Sequence, residues 1–401
     1  MRAQRLASAL VGLHCWRGIA SASGDGLQLR HLQVVHRHGD RTPVTPLADR
    51  AFWASVLPSD EERESLATGT EVVRASDSVP HPAAGDGLFG TLSARGVQQM
   101  KAGGEMLRCT YPEFIPEVAT AGAVSIYSTD FPRTIQSVQA LCQGLFPVVS
   151  RRSPIQIDAT RGHYMIPDPV PRLTTEQEEL EEAVLASEAV RAHADAVEPL
   201  RVHLSDVLHD TVDPRAYTLT GMGAGDVASG HLLSWNKLAE IMKCLHAYGR
   251  LPTGLTEQDV QQASAAGAHR WTVLMRDKRI AHLAMGQMAS DIVTAARDAA
   301  RDASTPRLVV WSAHDSTIFG LLAMFALDAP ATWPPYASQL HIELLEELVG
   351  SERPCGLYVR FSLNGEALGC GLGGGGAPGS SPIVALDEVE AAVLPSIRDE
   401  V

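Results

Sequence analysis

Apolar and polar residues alternate along LQLRHLQVV (27–35) with the period of two that a half-buried strand requires. AVSIYSTD (123–130) reads as a short strand. Between them, SARGVQQMKAGGEMLRCTY (93–111) has helical spacing, with Val97, Met100 and Met106 on or near one face. RTIQSVQALCQGLF (133–146) predicts a second helix, entered through STDFP. The chain therefore begins strand, helix, strand, helix, which argues for an α/β sheet. Residues 46–90 are mixed and rich in Pro, Gly, Ser and Asp, and they read as a long excursion over the surface.

The periodicity changes from about 158 to 278, where strand signals almost vanish. TTEQEELEEAVLASEAVRAHADAVEPL (174–200) predicts one long acidic helix with a capping box at Thr175 and Glu178. Its acidic face reads as solvated. SWNKLAEIMKCLHAYG (234–249) predicts an amphipathic helix stopped by Gly249. Sheet character then returns. MGQMASDIVTAARDAARDA is helical, and RLVVWSAHDSTIFGLLAMFAL reads strand, polar turn, helix. QLHIELLEEL and GLYVRFSLNG predict a pair of strands that close the sheet, and ALDEVEAAVLPSI a last helix. The flexible loop GLGGGGAPGSS (371–381) separates them. This divides the chain into a core, 25–157 and 279–401, with an all-helical insertion at 158–278.

Residues 1–24 hold Arg2, Arg5 and Arg17 and no carboxylate, and they are rich in Ser and Ala. That composition predicts a mitochondrial presequence, with a secretory signal as the alternative because LASALVGL could serve as a short apolar region. No later segment has the ~18 apolar residues of a membrane span; STIFGLLAMFAL, 12 residues long, reads as a buried core helix. With 401 residues, 45% of them hydrophobic, the chain can bury a sizeable core. Lys plus Arg total 33 against 47 Asp plus Glu, a formal charge of −14. Nucleic acid is thus excluded as a bulk partner. Six cysteines are scattered, with no C-x-x-C pair and no zinc-ligand spacing; reduced, mostly buried thiols are expected, with two or three disulfides as the alternative for an exported protein.

Against that acidic background RHGDR, directly after the first strand, is a local exception. AHDS follows the strand LVVW, and STDFPR follows the strand at 123–128. Ligands of open α/β sheets bind outside the carboxyl ends of strands. If the three strands are neighbours, Arg37, His38, Arg41, Arg133, His314 and Asp315 meet in one place. Three guanidinium groups match the oxygens of a phosphate monoester, and a sulfate would fit nearly as well. Gly39 would let the backbone approach the ligand. With no metal-ligand motif to activate water, a neutral imidazole can attack phosphorus itself, and Asp315 can protonate the departing oxygen. The neighbouring arginines would lower the histidine's pKa in the empty site. His36 reads as a strand residue facing the adjacent layer, and His163 as a satisfied loop histidine.

RHGDRTP together with AHDST resembles the histidine acid phosphatase branch of the histidine phosphatase superfamily. GTLSARGVQQM, STDFPRTIQS and WPPYASQLHIEL resemble further stretches of that family, with Ser93 where Thr is usual. The resemblance runs over roughly 27–370 and is weakest at 46–85 and through the helical middle. It implies His38 as nucleophile, Arg37, Arg41, Arg133 and His314 as ligands of the phosphoryl group, and Asp315 as proton donor. It implies a three-layer α/β/α core, its sheet mixed and mostly parallel, with an inserted α-helical cap. It implies a metal-independent phosphomonoester hydrolase with no cofactor. Within the family, TLSARGVQQM, RGHYMIPDP and TWPPYASQLHIELLE are most similar to a subgroup acting on lysophosphatidic acid, so a small-molecule or lysolipid phosphomonoester is the expected partner. A phytase-like or broad acid phosphatase, or a non-catalytic binder of phosphate esters or inositides, stands as the alternative.

Overall fold

A computed structural model describes residues 26–75, 87–119, 122–146, 154–167, 174–217, 232–329, 332–349, 353–372 and 381–394. Residues 1–24, expected to be a presequence, and the glycine-rich stretch 373–380 lie outside the described residues.

The strands are β1 (Leu27–Arg37), β2 (Thr70–Val73), β3 (Val124–Ser128), β4 (Ile155–Asp158), β5 (Leu308–Ala313), β6 (Gln339–Val349), β7 (Arg353–Leu363), β8 (Glu366–Leu368) and β9 (Ile383–Ala385). They form one sheet in the order β2-β4-β3-β5-β1-β6-β7-β8, with β9 also on β7. From β2 to β1 every pair is parallel; β6, β7, β8 and β9 extend the sheet in antiparallel fashion. The helices are α1 (Arg50–Ser55), α2 (Asp60–Ala67), α3 (Ala94–Thr110), α4 (Pro132–Leu145), α5 (Thr175–Leu185), α6 (Glu188–Leu208), α7 (Trp235–Ala247), α8 (Glu257–Arg276), α9 (Lys278–Arg301), α10 (Asp315–Met324) and α11 (Leu386–Val393).

Strand alternation sorts the core into two layers. Leu32 and Val34 of β1 and Leu308 and Val310 of β5 pack with Val97, Met100, Val138 and Leu141 of α3 and α4. Val35, Val309 and Trp311 point the other way, onto Met285, Ile292 and Ile318 of α9 and α10. Each of these side chains is under a tenth exposed. Because side chains alternate in two, a one-residue slip of β1 or β5 would turn both sets over, so burial fixes the register. α10, expected as a core helix, is one: Ile318 and Leu321 are fully buried. Among the described residues no helix is long and apolar enough to cross a membrane.

Several sequence expectations need correction. The excursion at 46–90 is not merely surface. It carries α1, α2 and the edge strand β2, and Leu47, Trp53 and Phe89 join the apolar cluster of α6, α7 and α8. Short elements of 4–8 residues carry too little periodicity to announce themselves. The acidic helix is two helices, α5 and α6, broken at Ala186–Ser187. Its cap is Thr174, which accepts from the Gln177 N–H, one residue before the expected box. Reduced thiols hold for Cys142, Cys244 and Cys370, all buried, but Cys109 is disulfide-bonded. Cys109 lies on the exposed side of α3, and a partner brought in by folding leaves no trace in sequence spacing. α7 does end as expected, with Gly249 at φ 63°.

Candidate active site

β3, β5 and β1 are adjacent, and their carboxyl ends stop level. Ser128 pairs with Ser312, and Arg37 pairs with Ala313. Two backbone bonds carry the ladders one residue further, His38 N–H to Ala313 O at 3.2 Å and Thr129 N–H to Ser312 O at 3.1 Å. The three polar turns therefore open at one edge, and all six predicted residues meet there. α4 and α10 both start at this edge, so two helix N-termini face an incoming anion.

Gly39 has a different job from the one expected. A Cβ on Gly39 would lie 2.5 Å from the Gly96 carbonyl, and one on Gly96 would lie 2.1 Å from the Asp40 carbonyl. The glycine pair lets the loop after β1 lie directly on the first turn of α3. Ser93, the N-cap of α3, donates to Asp40 Oδ2 at 2.6 Å, and Tyr248 donates to the same oxygen at 2.5 Å. Asp40 so ties the loop to both the core and the helical insertion.

His38 Nδ1 lies 2.8 Å from the Gly39 carbonyl. A carbonyl only accepts, so Nδ1 carries the proton and Nε2 keeps its lone pair. Burial pushes the His38 pKa well below its usual value, and Arg133, Arg37, Arg41 and His314 add to the effect. The sequence argument had the direction and the arginines but missed burial, the larger cause. His314, its ring centroid 5.7 Å from that of His38, is lowered by burial, then Arg133. Thr134 donates its hydroxyl to backbone carbonyls, and Thr129 donates to Thr134 at 2.9 Å. The 3.0 Å contact between Thr129 and His314 therefore runs from His314 Nε2–H to the hydroxyl. Thr129 was not foreseen in this part.

The guanidinium groups differ. Arg37 donates to Pro334 O at 2.6 Å, pairs with Asp315 at 2.7 Å and stacks 4.2 Å from the Tyr336 ring centroid. Arg41 pairs with Glu240 of α7 at 2.7 Å. Arg133, 5% exposed, stacks on Phe131 but has no protein hydrogen bond at Nε or Nη1. Nε of Arg37 and of Arg41 are unpartnered as well. Burial, then Arg41, lowers the Arg133 pKa to about 9. Buried unmatched donors are costly, and here they converge on one place. An oxyanion would satisfy them.

For Asp315, burial pushes the carboxyl up. Arg37, the Trp333 N–H, Lys243 and His314 outweigh it and hold the group at about 2. Trp333 Nε1–H donates to Asp315 Oδ2 at 2.5 Å. Sequence reasoning gives no role to Trp333, Tyr336, Glu240 or Lys243. Glu240, Lys243 and Cys244 sit at helical spacing on one face of α7, and that spacing was the available signal. Among the described residues no group of three or more His, Cys, Asp or Glu could hold a metal ion. His36 is a buried strand residue, and His163 is exposed with Nδ1–H on the Thr160 carbonyl, both as read from the sequence.

A mixed α/β sheet with arginines, two histidines and an aspartate gathered at its carboxyl edge defines a phosphoester-handling site, and comparison with known proteins agrees. Residues 28–364 match the histidine phosphatase superfamily (branch 2), and the chain belongs to that family. It is a phosphomonoester hydrolase of the acid phosphatase kind. Counting factor 60 of Dictyostelium discoideum is 26% identical over 86% of this chain and 82% of its own length. Lysophosphatidic acid phosphatase type 6 of Bos taurus is 26% identical over 83% and 78%, and human prostatic acid phosphatase 26% over 93% and 86%. Among solved structures, Hafnia alvei phytase in complex with myo-inositol hexakis sulphate aligns with a TM-score of 0.61 at 16% identity, over 92% of this chain and 98% of that one. The multiple inositol polyphosphate phosphatase of Bifidobacterium longum gives 0.58 at 12%, over 96% and 95%. These two likenesses concern the fold.

Proposed function

We propose that the enzyme works through a phosphohistidine on His38 and that lysophosphatidic acid or a related lysolipid phosphate is its substrate. The observation that carries the mechanism is the Nδ1–H bond of His38 to Gly39, which leaves Nε2 as a neutral nucleophile amid unmatched guanidinium donors. Arg37, Arg41 and Arg133 hold the phosphoryl oxygens, and His314, once the bound anion raises its pKa and protonates it, adds a donor from Nδ1. Nε2 of His38 attacks phosphorus, the P–O ester bond breaks, and Asp315 gives the departing oxygen a proton. Water then attacks phosphorus, Asp315 takes the water's proton, and the P–N bond breaks to release phosphate. Asp315 is ionised in the empty site, so its proton comes with the substrate. A phosphomonoester loses its second proton near pH 6, about, and below that it enters as the monoanion. An acidic working range follows.

Two things support the lysolipid: the similarity to lysophosphatidic acid phosphatases, and the apolar surface of Trp333 and Phe319 beside Asp315. In this reading residues 158–278 form the cap over the core. A mitochondrial destination rests on the acid-free, Arg-bearing segment 1–24. The disulfide at Cys109 favours the alternative, the oxidising secretory route. Phosphate release from lysophosphatidic acid, p-nitrophenyl phosphate and phytate, each with a chelator present, tests the assignment. The highest kcat/KM for lysophosphatidic acid is expected. A preference for phytate overturns the substrate class, and no release from any of them overturns catalysis.

A further inference from the structure

α7 brings a fourth cation to the site. Glu240 grips Arg41 from this helix, and Cys244 lies 3.7 Å from the Arg41 carbonyl. Lys243 lies between them on the same face, half-buried. Its Nζ stands 5.2 Å from the Trp333 ring centroid, and the same indole donates its N–H to Asp315. Among the described residues no carboxylate lies within ion-pair distance of Lys243. The ammonium is repelled by Arg37 and Arg41 and drawn by Asp315, yet it makes no ion pair of its own. Burial, then Arg37, lowers its pKa to about 8, so it remains charged at neutral and acidic pH.

The position says what the charge is for. A proton donor must lie within hydrogen-bond reach of the oxygen it protonates. Asp315 therefore marks where the ester oxygen leaves, and its neighbours Trp333 and Lys243 flank the space taken by the alcohol. Arg133 stacks on Phe131, and Phe131 packs edge-on against His314. The wall on the alcohol side is apolar where Trp333 meets Phe319 and carries a single ammonium.

We propose that Lys243 is a specificity-determining residue that binds an oxygen acceptor on the leaving alcohol, a hydroxyl, ester or carboxylate oxygen close to the ester carbon. This rests on the phosphomonoesterase reading above and narrows its substrate class: alcohols carrying such an oxygen are favoured over plain alkyl ones. The oxygen-substituted backbone of a lysolipid phosphate meets the requirement.

The test uses two esters of equal chain length, glycerol 3-phosphate and n-propyl phosphate, whose phosphoryl groups are the same and whose alcohols differ in hydroxyl groups. The wild-type enzyme should favour glycerol 3-phosphate in kcat/KM. Lys243→Met keeps length and removes the donor. It should cut kcat/KM for glycerol 3-phosphate by roughly 10–100-fold, the range for one charged hydrogen bond, and change propyl phosphate far less, which also reports that the variant is folded. Lys243→Arg should restore part of the preference. A wild-type preference that survives in Lys243→Met, or equal losses on both esters, overturns the assignment of Lys243 alone. Wild-type enzyme that releases phosphate from neither ester nor from lysophosphatidic acid overturns the phosphatase reading on which it rests, and release from lysophosphatidic acid alone overturns the assignment of Lys243.

Discussion

Arg133 sets function against stability in one side chain. It is 5% exposed, has unpartnered Nε and Nη1, and faces Arg41 and Arg37 at the head of α4. Each buried unmatched donor costs about 1–3 kcal/mol. Its folded pKa is depressed from the ordinary arginine value to about 9, so the protonated form is penalised in full below that pH and the penalty eases as pH rises above it. Arg133→Met replaces the charge with an apolar chain that can keep the packing against Phe131. The empty protein should become more stable by roughly 1–3 kcal/mol, a rise in Tm of several degrees for a chain of this size, at about 2–4 °C per kcal/mol. The variant should lose most of the stabilisation that inorganic phosphate gives the wild type, because the anion loses two of its donors. kcat/KM for p-nitrophenyl phosphate should fall by about 10²–10³, the range for losing one transition-state donor. Thermal unfolding with and without phosphate, beside steady-state kinetics, reads all three. A destabilised empty variant, or an undiminished phosphate shift, would show that Arg133 is a structural cation rather than a waiting ligand.

Asp315→Asn should lower turnover of alkyl phosphates by about 10²–10⁴ and that of p-nitrophenyl phosphate less in the first chemical step, since nitrophenolate leaves unaided; equal losses would assign the proton to another group. Because the folded pKa of Asp315 is about 2, below the usual carboxylate value, its link to Arg37 stabilises the protein above about pH 4 and is lost as pH falls through 2. The acid-unfolding curve of Asp315→Asn should therefore lie closest to the wild type at the lowest pH. Gly96→Ala puts a methyl 2.1 Å from the Asp40 carbonyl. It should destabilise by about 1–3 kcal/mol and reduce kcat by displacing His38; wild-type kcat would mean the loop rests elsewhere.

The parts of this fold legible in the sequence were those whose periodicity is long or whose chemistry is unusual. β1 and β5 read as strands because their apolar runs are buried on both sheet faces by different helices. The RHG and HD turns stood out because cations crowded after an apolar run have no packing use. What stayed hidden depends on distant partners. Gly39 faces Gly96, not the ligand. β2 and β4 are four-residue strands at one edge. Glu240 and Lys243 reach the site from a helix about 200 residues after Arg41, and only the folded contact of α7 with the loop after β1 assigns them a role. The N–H of Trp333 reaches Asp315 only because the turn before β6 meets the start of α10.

The central claim is that His38 forms a covalent bond to phosphorus. Wild-type enzyme mixed with ³²P-labelled substrate and quenched in milliseconds should carry label that is stable in base and released by acid, as a phosphoramidate is. Peptide mapping should locate it at Nε2 of His38. His38→Ala should trap none and lose at least about four orders of magnitude in kcat. Label on a serine or aspartate, or turnover by His38→Ala near the wild-type rate, would contradict the account.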